Sequence, residues 1–311
     1  PIDIATSRKE YYVSPAENPQ VSTTHNEADL QRRDFTANAI AFDLINNKFI
    51  DPCKGRDAIS KRQLEFIHSQ SVSEDPTRII RGARYAARLN FDLSPKSLAQ
   101  IISTIKAWPW DWKLGDDPLH APAGLSVRLR MELELLLEEE LWEKALQNLQ
   151  AWGSLLLLDK DLQADNESAR RIHWALKLKI NPLTALIAGS SDPQQVAQRL
   201  QLPMRQQILL SESLALRKFL SDLNVSKEHL CWPTSSWCES IEKNSWHSEA
   251  IAIAICMKAP LWKKLLRWLK RWRLIKSPIS AKELIKRGWE PGPDIQKELN
   301  RLRNKQLDQL Y

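Results

Sequence analysis

The stretch Asp29-Leu-Gln-Arg-Arg-Asp-Phe-Thr-Ala-Asn-Ala-Ile-Ala-Phe-Asp43 sets adjacent arginines, acids, a threonine and an asparagine at the mouth of an otherwise apolar segment. Polar groups of this kind are unfavourable to bury without partners, and a phosphorylated ligand is one way to supply them. The segment reads as a helix from Glu27 or Asp29 to about Ile45, with Leu30, Phe35, Ala37, Ala41 and Leu44 as its packing residues and Asn46-Asn47 as its end. A second stretch, Glu74-Asp-Pro-Thr-Arg-Ile-Ile-Arg-Gly-Ala-Arg84, repeats the theme. There Ser73 or Asp75 caps, Pro76 begins a helix through about Leu89, and Arg78, Arg81, Arg84 and Arg88 recur at intervals of three and four.

Outward from these two stretches, residues 2 to 7 read as a strand, and the prolines of Tyr11–Val21 favour an extended or turning segment. Phe49-Ile50 reads as a short strand before Asp51-Pro-Cys-Lys-Gly-Arg-Asp57, a turn in which Gly55 is expected at positive φ. Ile59 to Ile67 holds a short helix or strand, and Pro95 to about Ala107 a helix. The Trp108-Pro-Trp-Asp-Trp segment reads as an ordered elbow, and Ser126 to Trp152 as one long helix with a leucine stripe. Helices are expected around 169–178, 182–188, 194–200, 205–220, 249–274, 280–287 and 295–310, with a less regular stretch at 221–248.

A chain of 311 residues exceeds what one core usually organises, so two or more are expected. Only 8 glycines beside dense leucine argue for a mostly helical body. Lys and Arg total 45 against 38 acids, a net +7 that fits an anionic partner without requiring one. Four scattered cysteines exclude a disulfide framework and point to reduced thiols and a cytoplasmic setting. His229, Cys231, Cys238, His247 and Cys256 match no compact zinc spacing. No apolar run is long enough to span a bilayer, and no stable membrane association is expected. The opening Pro1-Ile-Asp-Ile-Ala-Thr alternates like a strand already under way, so an N-terminal segment is expected to precede Pro1.

Together the two stretches suggest a nucleotide site between two elements; adding a nucleotide to an RNA 3′ end would need an aligned hydroxyl, neutralised phosphate charge and a preferred base. Asp3 is the strand-borne acid available for a metal-facing carboxylate, and Arg8 faces triphosphate or primer. Arg33, Asp34 and Asn38 are the candidate triphosphate and ribose contacts, with Arg32 and Asp43 as scaffold. Each of these has a plainer reading, an exposed strand residue or a salt-bridged helix. Cytosine and adenine present an amino donor beside a ring-nitrogen acceptor, whereas guanine and uracil present a carbonyl beside an N–H. Asp75 accepts from the first while Arg78 donates to the second, and three residues apart on a first helical turn they share a face. Arg81 extends that face, to stack near a base or support Asp75; a weak surface ion pair is the competing reading.

In order and spacing, Asp3-Ile-Ala-Thr-Ser-Arg8, the 29–43 stretch, Asp51–Asp57 and Glu74-Asp-Pro-Thr-Arg-Ile-Ile-Arg81 resemble the motifs of the bacterial class II tRNA nucleotidyltransferase and poly(A) polymerase family, over about residues 1 to 92. The resemblance implies an α+β chain: part of a polymerase-beta-like nucleotidyltransferase head (1–57), then an all-helical neck (58–122), body (123–230) and tail (231–311). It implies Mg²⁺-dependent addition of CMP, AMP or both from CTP and ATP to a tRNA 3′ end. Asp3 then looks like the third head carboxylate, Arg33, Asp34 and Asn38 like nucleotide-site residues, and Asp75 with Arg78 like the base-pairing template. The family's Gly-Gly-x-x-Arg-Asp segment and Asp-x-Asp pair are expected before Pro1. Alternatives are a poly(A) polymerase acting on general RNA, and a noncatalytic RNA-binding protein if those acids are absent.

In the tail, Trp262-Lys-Lys-Leu-Leu-Arg-Trp-Leu-Lys-Arg-Trp-Arg273 sets Lys263, Lys264, Arg267 and Lys270 beside an apolar stripe. This suits tRNA phosphates, intramolecular packing with a solvated basic edge or, less well, a membrane surface. The 295–310 helix, with Lys297, Arg301, Arg303 and Lys305, is a lesser candidate of the same kind.

Overall fold

The computed structural model describes residues 4–13, 18–108 and 123–310. Asp3 and most of the tryptophan elbow, from Pro109 onward, lie outside the described residues. Small β-ladders at the N-terminal side give way to helices, as the α+β reading expects. Two compact units form: one runs to Ala169 and includes Gly189–Pro203, the other comprises Arg170–Ala188 and the chain from Met204 on.

In the first unit, β1 (Arg8–Tyr11) pairs antiparallel with β2 (Gln20–Thr23). The strand therefore lies later than the 2 to 7 expected: Ile4 is 96% exposed, and the ladder starts where Arg8 meets Thr23. Helix α1 covers only Asn26–Gln31, not the 29–45 segment. Beyond it Phe35 turns extended, bridges to Phe66 and is fully buried, stacking on Phe66 at 5.1 Å and meeting Tyr85 edge-on at 5.7 Å. Burying such a ring stabilises by about 1.5–3 kcal/mol, and the extended backbone keeps a partner, since the Thr36 N–H donates to the Glu65 carbonyl at 2.9 Å. A single 3₁₀ turn, Thr36–Asn38, follows, and then the hairpin of β3 (Ala41–Asp43) and β4 (Lys48–Ile50). Asp43 Oδ1 closes that hairpin by accepting from the Ile45 and Asn46 N–H groups at 2.9 and 3.0 Å.

Helix α2 (Gly55–Ser60) begins where a turn was expected, and Lys54, not Gly55, takes positive φ at 56°. Gly55 is needed for proximity: a Cβ there would lie 2.1 Å from the Thr36 carbonyl oxygen. Strand β5 (Gln63–Leu64), helix α3 (Ser71–Glu74), helix α4 (Thr77–Leu89) and strand β6 (Asp92–Leu93) come next, β5 and β6 pairing in parallel, so residues 58–122, expected to be all helical, also carry a short ladder. Helix α4 buries Ile79, Ile80, Ala83, Ala86 and Ala87, an amphipathic pattern that its sequence declares. After α5 (Pro95–Lys106), the long helix expected over 126–152 is two: α6 (Ala123–Glu138) and α7 (Trp142–Ala151). Both pack on α4. Arg84 of α4 reaches Glu132 at 2.6 Å and Glu139, just past the end of α6, at 2.7 Å. The break at Glu139–Leu141 lets both leucine-bearing segments face the same partner.

The rest is helical: α8 (Lys160–Gln163), α9 (Ser168–Leu178), α10 (Pro182–Ile187), α11 (Pro193–Arg199), α12 (Met204–Ser226), α13 (Thr234–Glu242), α14 (Ser248–Cys256), α15 (Trp262–Lys270), α16 (Ala281–Lys286) and α17 (Pro293–Leu310). Helices α12 and α13 enter the stretch expected to be irregular, because Leu220, Leu223, Trp237 and Ile241 are core residues of the second unit. No described helix is long and apolar enough to cross a membrane.

Candidate nucleotide site

Arg8, Arg32, Arg33, Asp34, Asn38, Asp75, Arg78 and Arg81 all line one cavity of about 380 Å³ in the first unit. Its floor is the buried carboxylate of Asp34, 6% exposed, which receives Arg78 Nε at 3.1 Å on one oxygen and Arg81 Nη2 at 2.6 Å on the other. Burial pushes the Asp34 carboxyl up from the ordinary carboxylate value, outweighing the pull of the Arg81 and Arg78 guanidiniums. Asp34 reaches this position because α1 ends at Gln31 and Phe35 enters the core, which turns the intervening residues into the cavity. Arg81 thus supports Asp34, where the sequence suggested stacking on a base or support of Asp75.

Asp75 stands in extended backbone (φ −143°, ψ 93°) before α4, not on its first turn. Its Oδ1 accepts from the Thr77 N–H at 3.1 Å and the Thr77 hydroxyl at 2.7 Å, satisfying a donor at the start of α4. Its Oδ2 lies 3.4 Å from Arg128 Nη1 of α6. Arg78, 3% exposed, is held by Asp34, by the Ser71 carbonyl at 3.1 Å, by the Arg32 carbonyl at 3.5 Å and by Glu74 at 3.6 Å. Asp75 and Arg78 therefore line one cavity through a bend at Pro76 and not through helical spacing.

The remaining cations differ in how far they are committed. Arg32 is scaffold: it binds Asp29 at 2.9 Å, Glu10 at 2.8 Å and the Arg8 carbonyl at 2.9 Å. Burial raises the Asp29 carboxyl, but hydrogen bonds from the Arg8 N–H and Arg32 outweigh it and leave the group below its ordinary value. Arg8 and Arg33 keep 52% and 45% of their side chains exposed, with single acids at 3.2 and 3.5 Å. Asn38 spends its side-chain oxygen on the Phe35 N–H at 3.2 Å. Asp43, expected as scaffold, closes the β3–β4 hairpin instead and does not line the cavity.

Tyr12 and Arg128 line the same cavity and were not singled out from sequence. Tyr12 lies under the Arg78 guanidinium at 5.9 Å, and burial pushes its hydroxyl up to about 12. Its loop position carries no sequence signal, whereas Arg128 and Glu132 recur at i and i+4 on a helix read only for its leucines. Among the described residues no group of three or more His, Cys, Asp or Glu side chains is placed to hold a metal, and the described acids of this site are engaged as above.

In the second unit, Leu265 and Trp268 of α15 are buried, and Lys263, Arg267 and Lys270 are exposed. Lys264 departs from the basic edge: its ammonium lies 5.4 Å from the Trp237 ring and 5.9 Å from the Trp272 ring, and burial lowers its pKa. On α17, Arg303 is bound to Glu242 by two contacts of 2.8 Å, while Arg301 and Lys297 pair with Glu298 and Asp294 on their own helix. A larger cavity of about 930 Å³, bounded by Trp232, Glu239 and Asn304, holds no candidate but Arg303.

Comparison with known proteins agrees with the motifs. Residues 1–65 match the model of the poly(A) polymerase head domain. A CC-adding tRNA nucleotidyltransferase of Deinococcus radiodurans is 30% identical over 219 residues, 68% of this chain and 54% of that protein. An A-adding tRNA nucleotidyltransferase of Halalkalibacterium halodurans is 32% identical over 189 residues, 56% of this chain and 42% of that protein. The chain thus spans about half the length of these relatives. The fold is similar to that of a CCA-adding enzyme in an apo form, with a TM-score of 0.70 over 99% of this chain and 73% of the other at 23% identity. A Thermotoga maritima CCA-adding enzyme complexed with tRNA gives 0.66 over 91% and 70% at 21% identity.

Proposed function

From its membership of the bacterial class II tRNA nucleotidyltransferase family, we propose that the chain takes part in template-independent transfer of CMP, AMP or both from CTP and ATP to the 3′ end of tRNA. The observation that carries this is the convergence of the eight candidate side chains on one cavity. The division into head (1–57), neck (58–122), body (123–230) and tail (231–311) belongs to the same proposal.

In this reading the described residues bind and select. Arg8 and Arg33, the exposed cations of the cavity, meet the triphosphate, and Asn38 offers its amide N–H₂ to the ribose. Asp34 serves as an anionic pivot that fixes Arg78 and Arg81. Asp75 accepts from the exocyclic amino group of cytosine or adenine, and Arg78 donates to the adjacent ring nitrogen. Uracil and guanine would place an N–H and a carbonyl against the same edge, leaving buried polar groups mismatched, a large penalty in a closed site. Mg²⁺ would stabilise the phosphoryl charge when bound. Its acids, Asp3 among them, are proposed outside the described residues. The exposed Lys263, Arg267 and Lys270 are proposed to approach tRNA phosphates.

The test is incubation of the full-length protein with tRNAs ending before CCA, after C and after CC, with CTP and ATP, and sizing of the products. Additions that stop at one defined terminus support the reading, and long adenylate tails on general RNA would replace it with a poly(A) polymerase. Asp75→Ala and Arg78→Ala are expected to erode discrimination against UTP, measured on the protein that remains folded. Unchanged discrimination with normal activity in both would refute base reading by this pair.

A further inference from the structure

We propose that His68 is a positioning residue for nucleotide selection, setting through Glu74 how firmly the Arg78 guanidinium is held; this rests on base reading by Asp75 and Arg78. Two of the four groups that hold Arg78, the Ser71 carbonyl, which accepts at 3.1 Å, and the Glu74 carboxylate, an ion-pair contact at 3.6 Å, come from the segment that His68 opens. His68 anchors both. Its N–H donates to Ser71 Oγ at 3.2 Å, its carbonyl accepts from the Ser71 N–H at 3.2 Å, and its Nε2 lies 3.3 Å from Glu74 Oε2.

The oxygen that His68 touches is the one that faces Arg78 Nη1. A neutral imidazole donating through Nε2 orients Glu74 and leaves its charge to Arg78. A protonated ring places a second full cation on the same oxygen, so the two compete and Arg78 is held less tightly. Burial and the nearby Arg78 charge lower the His68 pKa while Glu74 raises it, and the net shift is downward, so the neutral state prevails at neutral pH. Glu74 of α3 and Arg78 of α4 act directly on the ring, and the other charged and titratable groups lining the same cavity are Arg32 just past α1, Lys9, Glu10 and Tyr11 of β1, and Tyr12. They bound a cavity of about 450 Å³ that shares Glu10, Tyr12, Arg32 and Arg78 with the nucleotide cavity. A change at His68 is thereby felt at the base-reading edge without His68 touching the nucleotide.

The experiment measures affinities for CTP and UTP by isothermal titration calorimetry from about pH 8 down to about pH 5, in the parent, His68→Gln and Arg78→Lys. The CTP-to-UTP ratio cancels titration of the shared triphosphate. In the parent this ratio is expected to fall about fivefold toward acid pH, the worth of one partly exposed ion pair. In His68→Gln, which keeps an N–H donor and does not titrate, it stays flat near the parent's alkaline value. In Glu74→Gln, the His68 pKa read by NMR is expected to fall, since Glu74 is what raises it. A flat parent ratio, a His68→Gln ratio that titrates like the parent's, or a His68 pKa unmoved by Glu74→Gln each overturns the proposal. An Arg78→Lys ratio equal to the parent's would remove base reading itself, and the role of His68 with it. A reduced Arg78→Lys ratio beside a flat parent would remove the role of His68 alone.

Discussion

The ion pair at the floor of the nucleotide cavity predicts a specific pattern of non-additivity. Asp34 and Arg78 are 6% and 3% exposed and meet at 3.1 Å. Breaking a buried pair by deleting one partner commonly destabilises by about 3–5 kcal/mol, because the survivor is left buried and charged. Here Arg78 would retain Ser71 and Glu74, so Asp34→Ala is expected at the lower end, about 2–4 kcal/mol. Arg78→Met leaves Asp34 with Arg81 at 2.6 Å and is expected to fall in the same range, about 2–4 kcal/mol. Burial already pushes the Asp34 carboxyl up against two arginines, so the intact pair is close to break-even with an apolar substitute. The double variant Asp34→Ala/Arg78→Met removes both buried charges together, so its loss should fall well short of the sum of the two single losses, a coupling of at least about 2 kcal/mol. Because two compact units need not unfold together, the readout is hydrogen exchange of α4 amides, not a global melt. A double variant whose losses add to within about 0.5 kcal/mol would refute the reasoning.

Gly55→Ala should cost about 1–3 kcal/mol or abolish folding of the hairpin region, since its Cβ would meet the Thr36 carbonyl oxygen at 2.1 Å and Ile40 at 2.8 Å; thermal denaturation of the variant measures it. Burial raises the Glu242 carboxyl, but hydrogen bonds from Arg303 and Trp268 outweigh it and hold the group below its ordinary 4.5. The stabilisation is thus complete above pH 4.5 and lost as pH falls through the depressed value, so Glu242→Gln should flatten the acid limb of second-unit stability followed by tryptophan fluorescence. Lys263→Glu and Lys270→Glu should weaken tRNA binding and lower the slope of log affinity against log salt by about one or more each. Lys264→Ala should instead destabilise the Trp237–Trp272 cluster and leave that slope nearly unchanged, as filter binding over a salt series would show.

Where local chemistry and tertiary demand agreed, the sequence was readable. Helix α4 was visible from Pro76, its apolar rows and its arginines at intervals of three and four. The cavity residues were visible because charged groups inside an apolar stretch must be satisfied somewhere. The 29–45 segment was misread because Phe35, Ala37, Ala41 and Leu44 mimic a helical stripe. Asn46-Asn47 flanked by Ala-Phe-Asp and Lys-Phe-Ile is hairpin chemistry, and it prevailed once Phe35 had a core to enter. The break between α6 and α7 depends on Glu139 reaching Arg84, a contact 55 residues distant that no local window contains. Asp75 was placed on a helical face from its spacing to Arg78, yet the proline between them keeps it extended.

The grip of Arg84 on Glu132 and Glu139 lies one turn from the point where Arg81 holds Asp34. Helix α4 is accordingly fastened at successive turns to α6 with the residue just past it and to the loop that forms the cavity floor. A substitution that shifts α6 reaches the pivot carboxylate through two guanidiniums on one rigid rod. On the proposed reading, base preference is then open to changes along α6 that never meet a nucleotide.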